Sequence, residues 1–309
     1  MSEVVFVCGA TGTQGGAVAR HLRKANATVH ALVREPKNAK ALADMGVLIF
    51  QGSYDDTESL RAALKGATSA FLNFMPSFTD ISQELRHANA VISAARDEGV
   101  RHIVYSSSFG LEEDETTRPG LDPDGIVAKI YQVKRDITRE ITKYPSYTIL
   151  RPAKFLSDLI GPAAAWFGDL TTTGIFETAL TQGQTSPYVD PDDIGAFGAA
   201  ALLSPEKFSG HRVDVFTALL TPEDLVSGLA EATGKRMSVR FLSEVEVEEK
   251  KKRNLLLEAQ ITMKEKSALA NLDQVKSWGV PVGSYEDFLE REKKRLDDTY
   301  TRVPSKQDS

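Results

Sequence analysis

Directly after the apolar run VVFVC, residues 9–22 read GATGTQGGAVARHL, with four glycines in eight residues at the head of a helix-like stretch. Gly9, Gly12 and Gly15 are spaced G-x-x-G-x-x-G. A chain that turns sharply at the end of a strand, and lets a pyrophosphate come against bare backbone, needs residues without a Cβ there. The loop amides and the N-terminus of the following helix then face the anion. The spacing departs from the G-x-G-x-x-G fingerprint by one residue in the first gap, and an ordinary glycine-rich turn is the plain alternative. The loop's place between the first strand and the first helix favours a nucleotide.

The first half of the chain has the rhythm such a loop requires. β-Branched runs recur at 4–8, 28–33, 47–50, 69–74, 101–106 and 147–150. Helical spacing fills the gaps. Val18, Leu22 and Ala25 fall at i, i+4, i+7, and Leu60 and Leu64 lie one turn apart in a segment that Thr57 is placed to cap. The segments 81–98 and 126–143 are long enough for four or five turns. Strands joined through helices call for right-handed crossovers and a parallel sheet. Near-continuous apolar strands suit a sheet covered on both faces. The prediction is an α/β, Rossmann-type, doubly wound parallel sheet, with residues 1–152 as a dinucleotide-binding domain.

Beyond Pro152 the pattern changes. Pro and Gly crowd 152–191, and 192–203 reads as a helix with Asp192 or Asp193 at its start. Residues 212–216 read as a strand, and Thr221-Pro222-Glu223-Asp224 is a strong helix start. The acid-then-base order of 244–253 suits a solvated helix, and 286–296 a last helix before a frayed tail, TYTRVPSKQDS. Residues 153–309 are therefore predicted to form a smaller, mainly helical substrate or cap region, parts of it returning to the sheet.

Composition narrows the partners. Lys and Arg number 37 against 43 Asp and Glu, a net charge of −6, which argues against a nucleic-acid surface. No apolar run approaches the ~18 to 20 residues of a membrane span, and no basic, cleavable leader is expected ahead of the first strand. Cys8 is the single cysteine, which excludes intrachain disulfides and favours a cytoplasmic, reducing setting. It is expected to be a small core residue. The five histidines are scattered, with no pair at metal-ligand spacing, so no metal is expected.

The end of the second strand selects the cofactor. NAD(H) calls for an acid on the ribose 2′-hydroxyl, NADP(H) for a cation on the 2′-phosphate. The sequence there is LVREPKNAK, with Arg34 at the strand tip and Lys37 and Lys40 beyond it. A guanidinium binds a phosphate bidentately and stacks on adenine. Glu35 points the other way by type. The balance favours NADP(H), through Arg34 first and Lys37 second.

With these residues in place, the chain resembles the NmrA-like family of atypical short-chain dehydrogenases/reductases. GATGTQGGAVARHL is similar to that family's GATGxQG opening. LVREPKNAKA, QGSYDDTESLRAAL, RHIVYSSSFG, LRPAKFLSD and SPYVDPDDIG carry the likeness onward, over most of residues 4–295. The resemblance implies NADP(H) held across the switch point of the sheet. Gly9, Thr11, Gly12, Thr13, Gln14 and Gly15 would line the pyrophosphate loop and Arg34 the 2′-phosphate. Ser53 and Tyr54 would flank adenine. Asn73, Phe74 and Met75 would lie beside the middle of the cofactor, and Pro152, Ala153 and Phe155 would border the nicotinamide. Phe74 and Phe155 are equally types that pack a core.

A typical short-chain dehydrogenase sets a Tyr four residues before a Lys on one helix, so that the ammonium lowers the pKa of the phenol. The helix here reads IVAKIYQVKRD: four residues before Lys134 stands Ile130, Tyr131 is three before it, and the position four after Tyr131 is Arg135. The standard dyad is absent. Lys134 matches the lysine retained by the NmrA-like family and its isoflavone-reductase-like relatives, which implies a role on the nicotinamide ribose or as proton donor. Tyr131 and a serine at the end of the fifth strand, Ser107 or Ser108 ahead of Ser106, are the further candidates. Two functions follow. One is an NADPH-dependent oxidoreductase reducing a small, fairly apolar carbonyl, enone or imine. The other is a non-catalytic NADP(H)-responsive redox sensor or regulator acting through protein partners, with a nuclear location then open to it. An oligomer is compatible with either.

Overall fold

The computed structural model describes residues 3–112 and 121–306. Seven strands form one sheet: β1 (Val4–Val7), β2 (Thr28–Val33), β3 (Leu48–Gln51), β4 (Ser69–Leu72), β5 (His102–Ser106), β6 (Tyr147–Pro152) and, returning from the second half, β10 (His211–Val215). Their order is β10-β6-β5-β4-β1-β2-β3, and every pairing is parallel. The winding reverses at β1, whose Val5 pairs with Val29 on one side and Ser69 on the other. A crevice opens beyond the strand ends at such a switch point.

The helices that complete this half are α1 (Thr13–Lys24), α2 (Lys40–Asp44), α3 (Thr57–Leu64), α4 (Ser82–Asp97) and α5 (Ile126–Ile141). The two-residue period of the strands divides the core between the faces of the sheet. Val5 and Val7 join α1 and the helix Pro191–Leu203, while Phe6 and Cys8 join α3, α4 and α5. Both clusters are buried, as the unbroken apolar strands require.

Beside its helices the second half holds two small sheets. β7 (Lys154–Phe155), β9 (Ser186–Val189) and β11 (Ala218–Leu220) form a three-stranded sheet, and β8 (Ile175–Thr178) pairs in parallel with β12 (Ser238–Phe241). Between them and the helices Pro222–Thr233, Tyr285–Arg291 and Lys293–Thr299 lies a separate core built on Leu159, Phe176, Tyr188, Leu225 and Phe288. No helix among the described residues is long and apolar enough to cross a membrane.

Several boundaries move for local reasons. Asp56, not Thr57, caps α3: its extended backbone lets its carboxylate accept from the Glu58 amide at 3.1 Å. Asp190 caps the helix Pro191–Leu203, accepting from the Asp192 amide at 3.0 Å, so Asp192 and Asp193 fall in the first turn. The helix predicted over 286–296 divides at Glu292. The tail is not frayed through residue 306. Tyr300 and Val303 are buried, the Tyr300 hydroxyl donates to the Leu159 carbonyl at 2.8 Å, and Arg236 N donates to Pro304 O at 2.8 Å.

One contact fixes how the second half meets the glycine-loop helix. Helix Pro191–Leu203 lies along α1 so closely that a Cβ added at Gly195 would stand 2.7 Å from the carbonyl carbon of Ala17 and 2.8 Å from its Cβ. Gly195→Ala should therefore destabilise the fold by about 1–3 kcal/mol, the usual cost of overpacking. Urea unfolding should show a lower midpoint at unchanged slope, whereas an unchanged midpoint would mean the helices separate freely.

Candidate cofactor and active site

β1 ends at Val7, and Cys8 adds one more sheet bond, its amide donating to Phe71 O at 2.9 Å. The chain then turns through Gly9 at φ +62° and closes with Gly12 N on Gly9 O at 2.8 Å. It enters α1 at Thr13 with Gly12 as N-cap, no side-chain cap bond and no acid in the first turn. The terminal amides and the positive end of the helix dipole are left for an outside anion. Gly15 holds the arrangement together: a Cβ there would meet the carbonyl oxygens of Cys8 and Gly9 at 2.5 Å each.

A cavity of about 310 Å³ opens beside this turn. Gly9, Thr11, Arg34, Ser53, Tyr54, Asn73, Phe74 and Met75 all line it. Arg34 stands exposed at its rim and makes no ion pair among the described residues. Lys37 does not line it; its ammonium turns to Glu35 at 3.4 Å, in open solvent. The Tyr54 hydroxyl accepts from the Gly9 amide at 3.0 Å, and its ring meets Phe74 and His87 edge-on, with centroids 5.8 and 5.5 Å away. His87 Nε2 lies 3.2 Å from both carboxylate oxygens of Asp55, which also lines the cavity. Asp55 and His87 were not foreseen; the sequence signals neither, because one follows β3 and the other lies two turns into α4. On the other side of the loop, Gly12 and Thr13 line a more open recess of about 720 Å³ that reaches Ser157 and Asp158. Burial pushes the Asp158 carboxyl up to about 6.

Across the strand ends runs a chain of side-chain bonds. Ser106 Oγ donates to Gln14 Oε1 at 2.6 Å, and Gln14 Nε2 donates to Asn73 Oδ1 at 3.1 Å. It ties β5, α1 and β4 together over the switch point. Among the three strand-end serines, then, it is Ser106 whose hydroxyl meets the glycine-loop helix. Ser107 comes after the strand's last residue; its amide donates to Leu150 O at 2.8 Å and its side chain is buried.

Tyr131 and Lys134 share α5 but turn to different partners. Tyr131 packs against Leu111 and Val127, its hydroxyl 3.5 Å from Thr262 Oγ1. Lys134 Nζ lies 3.2 Å from Glu84 Oε1, a carboxylate buried in the first turn of α4. Three residues of separation place the two about 60° apart around the helix. Pro152 and Ala153 stand at the carboxyl end of β6, their backbone bonded to Phe109 N at 3.0 Å and Val215 O at 3.1 Å, and Phe155 packs half-buried on the core beyond. The next residue outward from Ala153, Lys154, is a further unforeseen group: burial lowers its ammonium to about 8, and it donates to Ser186 Oγ at 3.1 Å.

Cys8 lies under the glycine loop with no exposed surface, and burial pushes its thiol up to about 12, against the lowering effect of a bond to Tyr54. A thiol without thiolate is a poor nucleophile. Iodoacetamide at pH 8 should leave native protein unmodified by mass and label Cys8 fully after unfolding; labelling of the native protein within minutes would contradict the burial. Among the described residues no group of three or more His, Cys, Asp or Glu side chains is arranged to hold a metal ion.

Comparison with known proteins gives this geometry its relatives. Residues 1–282 match the NmrA-like family. The chain is 42% identical over 242 residues to the NmrA-like family domain-containing oxidoreductase notA' of Aspergillus versicolor, covering 72% of this chain and 67% of that protein. It is 28% identical over 244 residues to the NAD(P)H azoreductase of Xenophilus azovorans, covering 78% and 77%. Its fold superposes on the NADPH-dependent quinone oxidoreductase of Escherichia coli, solved in complex with NADPH, with a TM-score of 0.71 at 21% identity, over 93% of this chain and 99% of that one.

Proposed function

The chain belongs to the NmrA-like family, and from that premise we propose that it is an NADPH-dependent reductase of a small, fairly apolar acceptor: a carbonyl, enone, quinone or imine. The observation that carries the cofactor half is Arg34, an arginine without a carboxylate partner among the described residues, at the rim of the cavity that Gly9 lines. The likeness to an azoreductase and a quinone oxidoreductase supports the reductase half.

NADPH, when bound, supplies the hydride. The chain's own residues bind, aim and protonate. The amides of Thr13 and Gln14 at the uncapped head of α1, with Gly9, Thr11 and Gly12 shaping the turn, would hold the diphosphate, and the absent Cβ of Gly15 admits that helix to the strand end. Arg34 takes the 2′-phosphate as a bidentate partner, and Lys37 adds charge from solvent. Ser53 and Tyr54 would flank the adenine; Asn73, Phe74 and Met75, which line the same cavity, would lie toward the nicotinamide. Pro152, Ala153 and Phe155 form the apolar border that keeps water from the reacting face. Lys134 would hold a proton at Nζ for the oxygen or nitrogen of the reduced acceptor and would steady the nicotinamide ribose. Tyr131 and Ser107 are the secondary donors.

Two variants test this reading. Arg34→Ala should weaken NADPH about 10- to 100-fold, the loss of a charge-assisted contact of about 1.5–3 kcal/mol, with NADH nearly unchanged; fluorescence titration of both cofactors measures it. Equal weakening of the two would remove the 2′-phosphate role. Lys134→Ala should lower kcat on the order of a hundredfold in NADPH oxidation with menadione, an enone, a cyclic imine or an azo dye. No turnover with any acceptor, together with a protein partner retained in only one cofactor state, would replace the enzyme with an NADP(H)-responsive regulator.

A further inference from the structure

We infer that Glu84 is the positioning residue of the site: its buried carboxylate aims the Lys134 ammonium. The inference rests on the role given to Lys134 above. Glu84 follows Gln83 and precedes His87 by one turn, and both of those residues line the 310 Å³ cavity while Glu84 turns inward. Its side chain is 1% exposed and that of Lys134 14%, with Oε1 and Nζ 3.2 Å apart. Among the described residues neither side chain has another hydrogen-bonding or ion-pairing partner. The helix that carries Lys134 packs on both α4 and β5, and β5 ends at Ser106, which bonds Gln14 of α1.

A lysine stem has four rotatable bonds, and left to itself it carries its ammonium out to water. Glu84 removes that freedom from the interior side. A fully buried carboxylate is costly unless a cation answers it, so the ammonium is held where the carboxylate is. Such a pair adds little net stability over two apolar side chains of the same volume. Its place one turn from the cleft is accounted for by the geometry it imposes on Lys134 rather than by the strength it lends the fold. The carboxylate touches neither acceptor nor cofactor in this role and acts through Lys134 alone.

A double-mutant cycle tests the claim, with NADPH and menadione as probes. Glu84→Gln should lower kcat tenfold or more, the scale expected when a reacting group drifts by about an ångström, with KM for NADPH moving less than about threefold. In a Lys134→Ala background the same substitution should cost nothing further, and Glu84→Asp should restore part of the loss. An equal loss in both backgrounds, or no loss in the parent, overturns the inference. A second readout does not need turnover. With lysine labelled at 13Cε, the Lys134 resonance, identified by its disappearance in Lys134→Ala, should be that of an immobilised side chain in the parent and a motionally averaged one in Glu84→Gln. An unchanged resonance overturns the inference. If no acceptor is reduced, the reductase reading fails alone and this resonance still decides the positioning. Should Glu84→Gln not fold, as a thermal scan would reveal, Glu84→Asp carries both measurements.

Discussion

Everything at the sheet's carboxyl edge depends on how near α1 comes to the end of β1. Gly15 sets that distance, because any Cβ there would overlap two carbonyl oxygens at 2.5 Å. With the helix seated, its uncapped N-terminus points into the crevice where the winding of the sheet reverses, and Gln14 reaches both Ser106 and Asn73. The outer flank of the same helix is gripped by Gly195 and Gly198 of the helix Pro191–Leu203, which belongs to the second half of the chain. The glycine-loop backbone is thus clamped from inside by a strand and from outside by a helix some 180 residues away in sequence. A preorganised anion site needs this, since amides that must reorganise on binding lose much of their electrostatic advantage.

The parts of the fold legible in the sequence are those whose cause is local. A tight strand-to-helix turn demands glycine wherever backbone approaches backbone, and buried parallel strands demand unbroken apolar runs, so the loop and the sheet could both be read from short windows. Choices between neighbours were not legible. Asp56 and Thr57 are both competent caps, and only the extended backbone at 56 decides between them. Ser106 and Ser107 differ by one position, and which hydroxyl meets Gln14 depends on where β5 ends, a boundary that three consecutive serines conceal.

Features made by distant partners were hidden altogether. The segment after Thr299 looks polar and charged, yet Tyr300 and Val303 are buried because Leu159 and Gly174 wait for them across the cap. Glu84 reads as an ordinary acid complementing the dipole of α4. Its burial exists only because α5 packs beside α4 and delivers Lys134 to it. No window of sequence around either residue contains the other, 50 positions away.

The same packing bears on the missing tyrosine. In the standard arrangement an ammonium on the same helix face lowers the pKa of a phenol, and the lysine is auxiliary. Here Ile130 takes the phenol's place, Tyr131 is rotated toward Thr262, and Lys134 is left as the cationic group on that face. An ammonium can serve where a phenol would, provided it is held still and kept from water, since it carries both the proton and the charge that a developing oxyanion needs. A lysine stem cannot hold itself still. On the reading proposed above, the buried carboxylate of Glu84 would supply that restraint, a contact between two helices standing in for one residue on α5.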